Sequence, residues 1–134
     1  MAILDAFSLK GKVAVATGGA GLYGRQIVRA LAEAGAKTFV ASRNVSALEE
    51  LAVSQRRAGL DVEALQYDQG EERSILALRD EVLRRAGRAD VLVNNAVLRP
   101  MKKAYQDDLA AFDLSMRVNA TGLFAITRAF GDVM

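Results

Sequence analysis

Cysteine and histidine are both missing from the 134 residues of this chain. The first absence excludes disulfides and thiol catalysis. The second removes the commonest general base and the commonest metal ligand, so no metal site is expected. Proline occurs once, at Pro100, and no Ser/Gly/Pro-rich stretch marks a linker. The expectation is one domain over residues 1–134, with no internal repeat or low-complexity tract. No apolar run approaches the roughly 18 residues of a membrane span. The N-terminal MAILDAFSLKGK carries Asp5 and only a short apolar patch, unlike a signal peptide. A cytoplasmic protein without a membrane partner is therefore expected. The formal charge is only +2, with bases and acids alternating along the chain. The nearest thing to a basic cluster, RPMKK (Arg99–Lys103), reads as a solvated loop, so no nucleic-acid partner is expected.

What the chain does have is a 51% hydrophobic content, enough for a real core, and a regular alternation of patterns. KVAVAT (Lys12–Thr17) is a short valine-rich run ending at glycine, as a buried parallel strand requires. From Leu22, apolar residues recur at Ile27, Val28, Leu31 and Ala34 before Gly35, the spacing and stop of a helix. KTFVAS (Lys37–Ser42) gives a second strand. A helix follows, capped by Asn44 or Ser46, with Leu48, Leu51 and Val53 inward and Gly59 as its stop. DVEALQYD (Asp61–Asp68) is a third strand, with apolar Val62, Ala64, Leu65 and Tyr67. The third helix, EERSILALRDEVLRRAG, has acids in its first turn and arginines in its last, as the helix dipole favours. ADVLVNN (Ala89–Asn95) is a fourth strand, and one long helical segment runs from about Asp107 onward.

Strands alternating with helices give βαβ units and a parallel sheet. The expected fold is an α/β, Rossmann-type doubly wound sheet of about four strands in the order 3-2-1-4. Ligands of such sheets bind beyond the carboxyl ends of the strands, where the order reverses. TGGAGLYG (Thr17–Gly24) and NNAV (Asn94–Val97) both fall at that point.

The glycine stretch fits G-x-G-x-x-G from Gly19 to Gly24, after a strand and opening a helix, the context of a pyrophosphate cradle. The alternative is a tight strand-to-helix turn with no ligand, although a plain turn seldom needs four glycines. Between Thr38 and Leu48 there is no acid to bind ribose hydroxyls; the second strand ends in Ser42-Arg43-Asn44 instead. Arg43 suits a 2′-phosphate and Ser42 adds a hydrogen bond; a solvated arginine at a helix start is the alternative. Asp68 reads equally as a ligand contact or as a cap for the third helix. Leu109, Phe112, Met116, Asn119, Leu123, Ile126 and Phe130 form one helical stripe in which Asn119 is the polar exception. A buried amide needs partners, and neighbouring backbone would supply them. Leu114, Val118 and Phe124 widen the apolar face, which asks for cover on two sides.

Taken together, these stretches resemble the short-chain dehydrogenase/reductase family. Its fingerprint T-G-x-x-x-G-x-G is matched by Thr17, Gly18 and Gly24, with Leu22 in place of the middle glycine and Gly21 one position earlier. LKGKVAVATGG, ASRN, Asp68, VLVNNA and VNATG extend the likeness over essentially the whole chain. The resemblance implies a cofactor cradle of Thr17, Gly18, Gly19, Gly21, Leu22, Tyr23 and Gly24. It implies a preference for NADP, with NAD possible, through Ser42, Arg43 and Asn44. Asp68 and the amide of Gln69 would hold the adenine, and Asn95, Ala96 and Val97 would lie along the cofactor, Val97 replacing the family's glycine. Asn119 would be the catalytic-tetrad asparagine, bonding main chain and holding a water of the proton relay.

The family reaction is hydride transfer between nicotinamide and a small-molecule carbonyl or alcohol. Its catalytic serine and Y-x-x-x-K have no counterpart here: the tyrosines are Tyr23, Tyr67 and Tyr105, and Leu109 follows the last by four. The expectation is a cofactor-binding part, inactive alone, that works as a homo-oligomer or with a complementing C-terminal half. The alternative is a non-catalytic dinucleotide-binding or protein-interaction module.

Overall fold

The computed structural model describes residues 2–134. Four strands, β1 (Val13–Thr17), β2 (Lys37–Ser42), β3 (Val62–Gln66) and β4 (Val91–Val93), form one parallel sheet in the order β3-β2-β1-β4. This is the order expected from right-handed βαβ crossovers. Helices α1 (Leu22–Glu33), α2 (Val45–Arg57) and α3 (Glu72–Ala86) fill the connections. The last helical segment comprises α4 (Leu109–Met116), a π-helical turn (Arg117–Thr121) and α5 (Gly122–Gly131). Short 3-10 turns lie at Ile3–Phe7 and Ala104–Gln106.

Alternate residues of the strands supply two separate cores, because successive side chains of a strand point to opposite faces. Ala16, Val40 and Val62 pack under α1 and α2 with Val28, Ala32, Leu48, Leu51 and Ala52. Val13, Val15, Phe39 and Leu65 pack under α3 and α5 with Ile75, Leu78, Val82, Ile126, Ala129 and Phe130. Every residue of β1 is buried, as a central parallel strand covered on both faces must be. In α2 it is Ala52 that is buried; Val53, expected inward, is half-buried.

Two elements depart from the sequence reading. β4 is three residues long and not the seven of Ala89–Asn95. The reason lies at its ends, where side chains take over from the ladder. The Asp90 carboxylate accepts from the Val13 amide at 2.8 Å, while the amides of Asn95 and Ala96 donate to the Thr17 hydroxyl. The expected stripe on the last helix is also broken. Ile126 and Phe130 are fully buried, yet Leu109, Phe112, Met116 and Leu123 are exposed and α4 buries no residue. A π turn, one residue wider than an α-helical turn, separates the two helices, and no face of α4 is covered by the rest of the molecule.

Candidate functional site

At the carboxyl ends of the strands, the turn Thr17–Gly24 faces the loop after β4. Two adjoining hollows of about 230 and 640 Å³ lie there, sharing Gly18, Ser42 and Val97. Gly18 has φ +68°, and a Cβ on it would sit 2.9 Å from the Cα of Ala96. A Cβ on Gly19 would strike Val40, and one on Gly24 would lie 2.4 Å from the Gly18 carbonyl oxygen. These three glycines are therefore dictated by the packing of the turn itself. Gly21 is not: a Cβ there meets only the Gly18 oxygen at 3.8 Å. Gly21 is also the N-cap of α1 and gives it no side-chain cap. The first amides of the helix, on Leu22, Tyr23 and Gly24, thus lack an intrahelical carbonyl partner and face the larger hollow. Arg25 braces the turn by donating through Nε to the Ala20 carbonyl at 3.1 Å, a role the sequence did not signal.

Thr17 is wholly buried, and its hydroxyl is fully engaged. It accepts from the amides of Asn95 (3.1 Å) and Ala96 (3.0 Å) and donates to the Val93 carbonyl (3.4 Å). Asn95 Nδ2 donates to the Gly18 carbonyl at 3.0 Å. The two motifs are thereby stitched into one rigid floor beneath the hollows. Leu22 and Tyr23 stand exposed at the rim, as does Val97. The backbone of Val97 is unstrained, since the only non-glycine with positive φ among the described residues is Ala104.

At the other end, Ser42, Arg43, Asn44, Asp68 and Gln69 line the smaller hollow. Asn44 caps α2, its side chain accepting from the Ala47 amide at 3.3 Å. Asp68 does not cap α3; it closes a local turn by accepting from the Gly70 amide at 2.8 Å. The charged side chains of the two hollows are Arg43, Asp68 and Arg99. Neither arginine has an ion-pair partner among the described residues.

Beneath this end, two polar side chains are buried together. The Tyr67 hydroxyl donates to Gln69 Oε1, and Gln69 Nε2 donates to the Val118 carbonyl, both at 2.8 Å. Burial, with the Asp68 charge nearby, pushes the Tyr67 hydroxyl up to about 12, so it stays a donor at physiological pH. Asn119, in the π turn, accepts from the Leu98 amide at 2.9 Å and donates to the Leu98 carbonyl at 2.6 Å and to Ser115 Oγ at 3.3 Å. Its side chain clamps the loop after β4. The sequence pointed to Asn119 but not to Leu98, because the partner offers only backbone and has no residue-type signal. Tyr67 read as an ordinary apolar strand position for the same reason: nothing in its spacing reveals the hydroxyl's partner.

Chemically, the arrangement offers free amides at one end for an anion, an unpaired guanidinium near the other, and a hollow between them. Among the described residues, no cluster of acids is placed to hold a metal, and no helix is long and apolar enough to cross a membrane.

The family model described as short chain dehydrogenase matches residues 12–134. An uncharacterized oxidoreductase from Thermotoga maritima is 34% identical over 94% of this chain and 49% of its own length. A metagenomic short-chain oxidoreductase solved in complex with NADP is 32% identical, with a TM-score of 0.86 over 92% of this chain and 57% of its own. A 7α-hydroxysteroid dehydrogenase solved with NADH and 7-oxo glycochenodeoxycholic acid superposes at a TM-score of 0.92, with 28% identity, over 100% of this chain and 52% of its own. The chain spans about half the length of the relatives it matches.

Proposed function

The chain belongs to the short-chain dehydrogenase family, and from that premise we propose that it is the dinucleotide-binding part of an NADP-preferring oxidoreductase acting on a carbonyl or alcohol. The observation that carries this reading is Gly21. Its missing Cβ is not needed by any neighbour, and it leaves the N-terminus of α1 uncapped at the edge of a hollow. Such a helix end favours phosphate, through free amides and the helix dipole together. A dinucleotide fits the remaining donors: the pyrophosphate at Leu22, Tyr23 and Gly24, the adenine end against Asp68 and Gln69, and the nicotinamide end along Ala96 and Val97.

The bound cofactor would supply the hydride acceptor or donor. The chain's own part is to hold it and exclude water, with Asn119 fixing the loop after β4. Arg43, exposed and unpaired beside the smaller hollow, matches a 2′-phosphate, and no acid stands near it on the second strand's end to prefer a free ribose. One solved relative carries NADP and another NADH, so the preference is argued from Arg43 alone. Titration with both cofactors tests it. NADPH should bind more tightly than NADH, and Arg43→Ala should weaken NADPH by about tenfold to a hundredfold, the equivalent of about 1.5–3 kcal/mol for a charge-assisted bond. Equal affinities in the parent chain would sink the preference. A cytoplasmic setting, and assembly as a homo-oligomer or with a polypeptide completing the family's catalytic residues, belong to the same proposal.

A further inference from the structure

We propose that Arg99 is a further dinucleotide-binding residue, whose guanidinium takes the pyrophosphate from the loop after β4 while the amides of α1 take it from the glycine turn. This rests on the dinucleotide reading above.

Arg99 opens the basic run RPMKK, which reads in sequence as a solvated loop. The structure divides that run. Lys102 and Lys103 line neither hollow, whereas Arg99 lines the larger one together with the glycine turn and the first turn of α1. Among the described residues it is the only charged side chain lining that hollow, and no acid stands there to neutralise it. It has no ion-pair partner elsewhere among the described residues either. The uncapped N-terminus of α1 already carries partial positive charge, so an arginine sharing its hollow is unfavourable there by itself. An anion between the two reverses the sign of that arrangement, and a planar fork of N–H donors suits phosphate oxygens.

The backbone fixes the point from which this side chain leaves. Asn119 is bound to both the amide and the carbonyl of Leu98, the residue before it. Pro100, the residue after it, has its own φ locked by the ring and confines Arg99 to extended conformations. The Pro100 carbonyl in turn accepts from the Lys102 amide at 3.1 Å. Ordering on binding is thereby limited to the rotamers of one side chain.

Arg43 and Arg99 divide the phosphates of the cofactor between them. Arg43 lines only the smaller hollow and Arg99 only the larger. The 2′-phosphate belongs to NADP alone, while the pyrophosphate is common to NADP and NAD. Arg99 therefore adds affinity for either cofactor without choosing between them.

Titrations of the parent and of Arg99→Met with NADPH, NADH and adenosine 2′-monophosphate test this. Methionine keeps an unbranched stem and removes the charge. NADPH and NADH should both weaken by about tenfold with their ratio unchanged, the lower end of what a charge-assisted hydrogen bond supplies. Adenosine 2′-monophosphate has the 2′-phosphate but no pyrophosphate, and should bind parent and variant alike. Arg99→Lys, a point charge without the fork, should recover part of the loss. Arg99 is exposed, so the variants should melt with the parent; should Arg99→Met fail to fold, Arg99→Gln carries the same test. Unchanged affinity for NADPH and NADH overturns the assignment. So does an equal weakening of adenosine 2′-monophosphate, the mark of a disturbed fold, and so does a loss confined to NADPH, which gives Arg99 the 2′-phosphate instead. A parent chain that binds neither NADPH nor NADH overturns the dinucleotide reading itself, and this assignment with it.

Discussion

A methyl group added at Gly24 would lie 2.4 Å from the Gly18 carbonyl oxygen, whereas one added at Gly21 meets nothing closer than 3.8 Å. The two substitutions should therefore separate folding from binding. Gly24→Ala forces backbone against backbone and should cost about 1–3 kcal/mol, as overpacking does. Gly21→Ala gives up only a residue tolerated at a helix cap, at most about 1 kcal/mol. It should nevertheless weaken cofactor binding by more than that loss, because the methyl group enters the space a phosphate would take. Thermal melts and NADPH titrations of both variants check the pair; a Gly21→Ala chain that binds like its parent would remove the cradle from that position. The sequence showed four glycines and no way to rank them. The folded turn ranks them: Ala96 and Val40, far off in the chain, crowd Gly18 and Gly19, and the turn's own backbone crowds Gly24.

One carboxylate ties three elements together. Glu63 on β3 meets Lys37 of β2 at 2.5 Å and Arg85 of α3 at 2.9 Å. The hydrogen bond from Lys37 comes first in holding the Glu63 carboxyl below its ordinary value of 4.5, with Arg85 adding to it. A carboxyl lowered by folding contributes stability that is fully present above its unfolded value and is lost as pH falls through the folded one. Glu63→Gln should thus melt earlier than the parent at neutral pH, and the difference should close as pH falls below 4.5. Paired melts across that range check it, and a constant difference would mean the loss is one of packing.

The elements were largely legible: apolar runs and glycine stops place all four strands and three helices, and their alternation with right-handed crossovers in a doubly wound sheet gives the strand order. The length of β4 and the phase of α4 were not. The first depends on side chains of Asp90 and Thr17 bonding at the strand's ends, and the second on α4 having no neighbour that covers any of its faces, beyond a π turn that carries no residue signature. The site was legible where topology converges two motifs, at Thr17–Gly24 and Asn95–Val97. It was not legible where a side chain seeks distant backbone, as Gln69 does with Val118 and Asn119 with Leu98.

Considered whole, the molecule leaves both edges of its sheet, β3 and β4, without a partner strand among the described residues. β4 pairs with β1 alone, and its other edge carries no strand among the described residues. An unprotected edge is a template for another chain. Leu109, Phe112, Met116 and Phe124 are exposed as well. Leaving a large apolar side chain in water forfeits about 1.5–3 kcal/mol, against a total stability of about 5–15 kcal/mol for a domain. The 134-residue chain should accordingly self-associate, seen as a rising sedimentation coefficient across a concentration series. A stable monomer with a sharp melt would show that these surfaces are tolerated.

The two cores also differ in when they become available. The buried residues under α1 and α2 all lie between Ala16 and Val62, while the opposite core needs Ile126 and Phe130. Ribosomes extend chains at about 5–20 residues per second, so one face of the sheet can close several seconds before its reverse, covered first by α3 alone, is complete. During that interval Val13, Val15, Phe39 and Leu65 are a nascent greasy surface. The chain's exposure to misassembly is thus greatest during its own synthesis, on the side that α5 eventually seals.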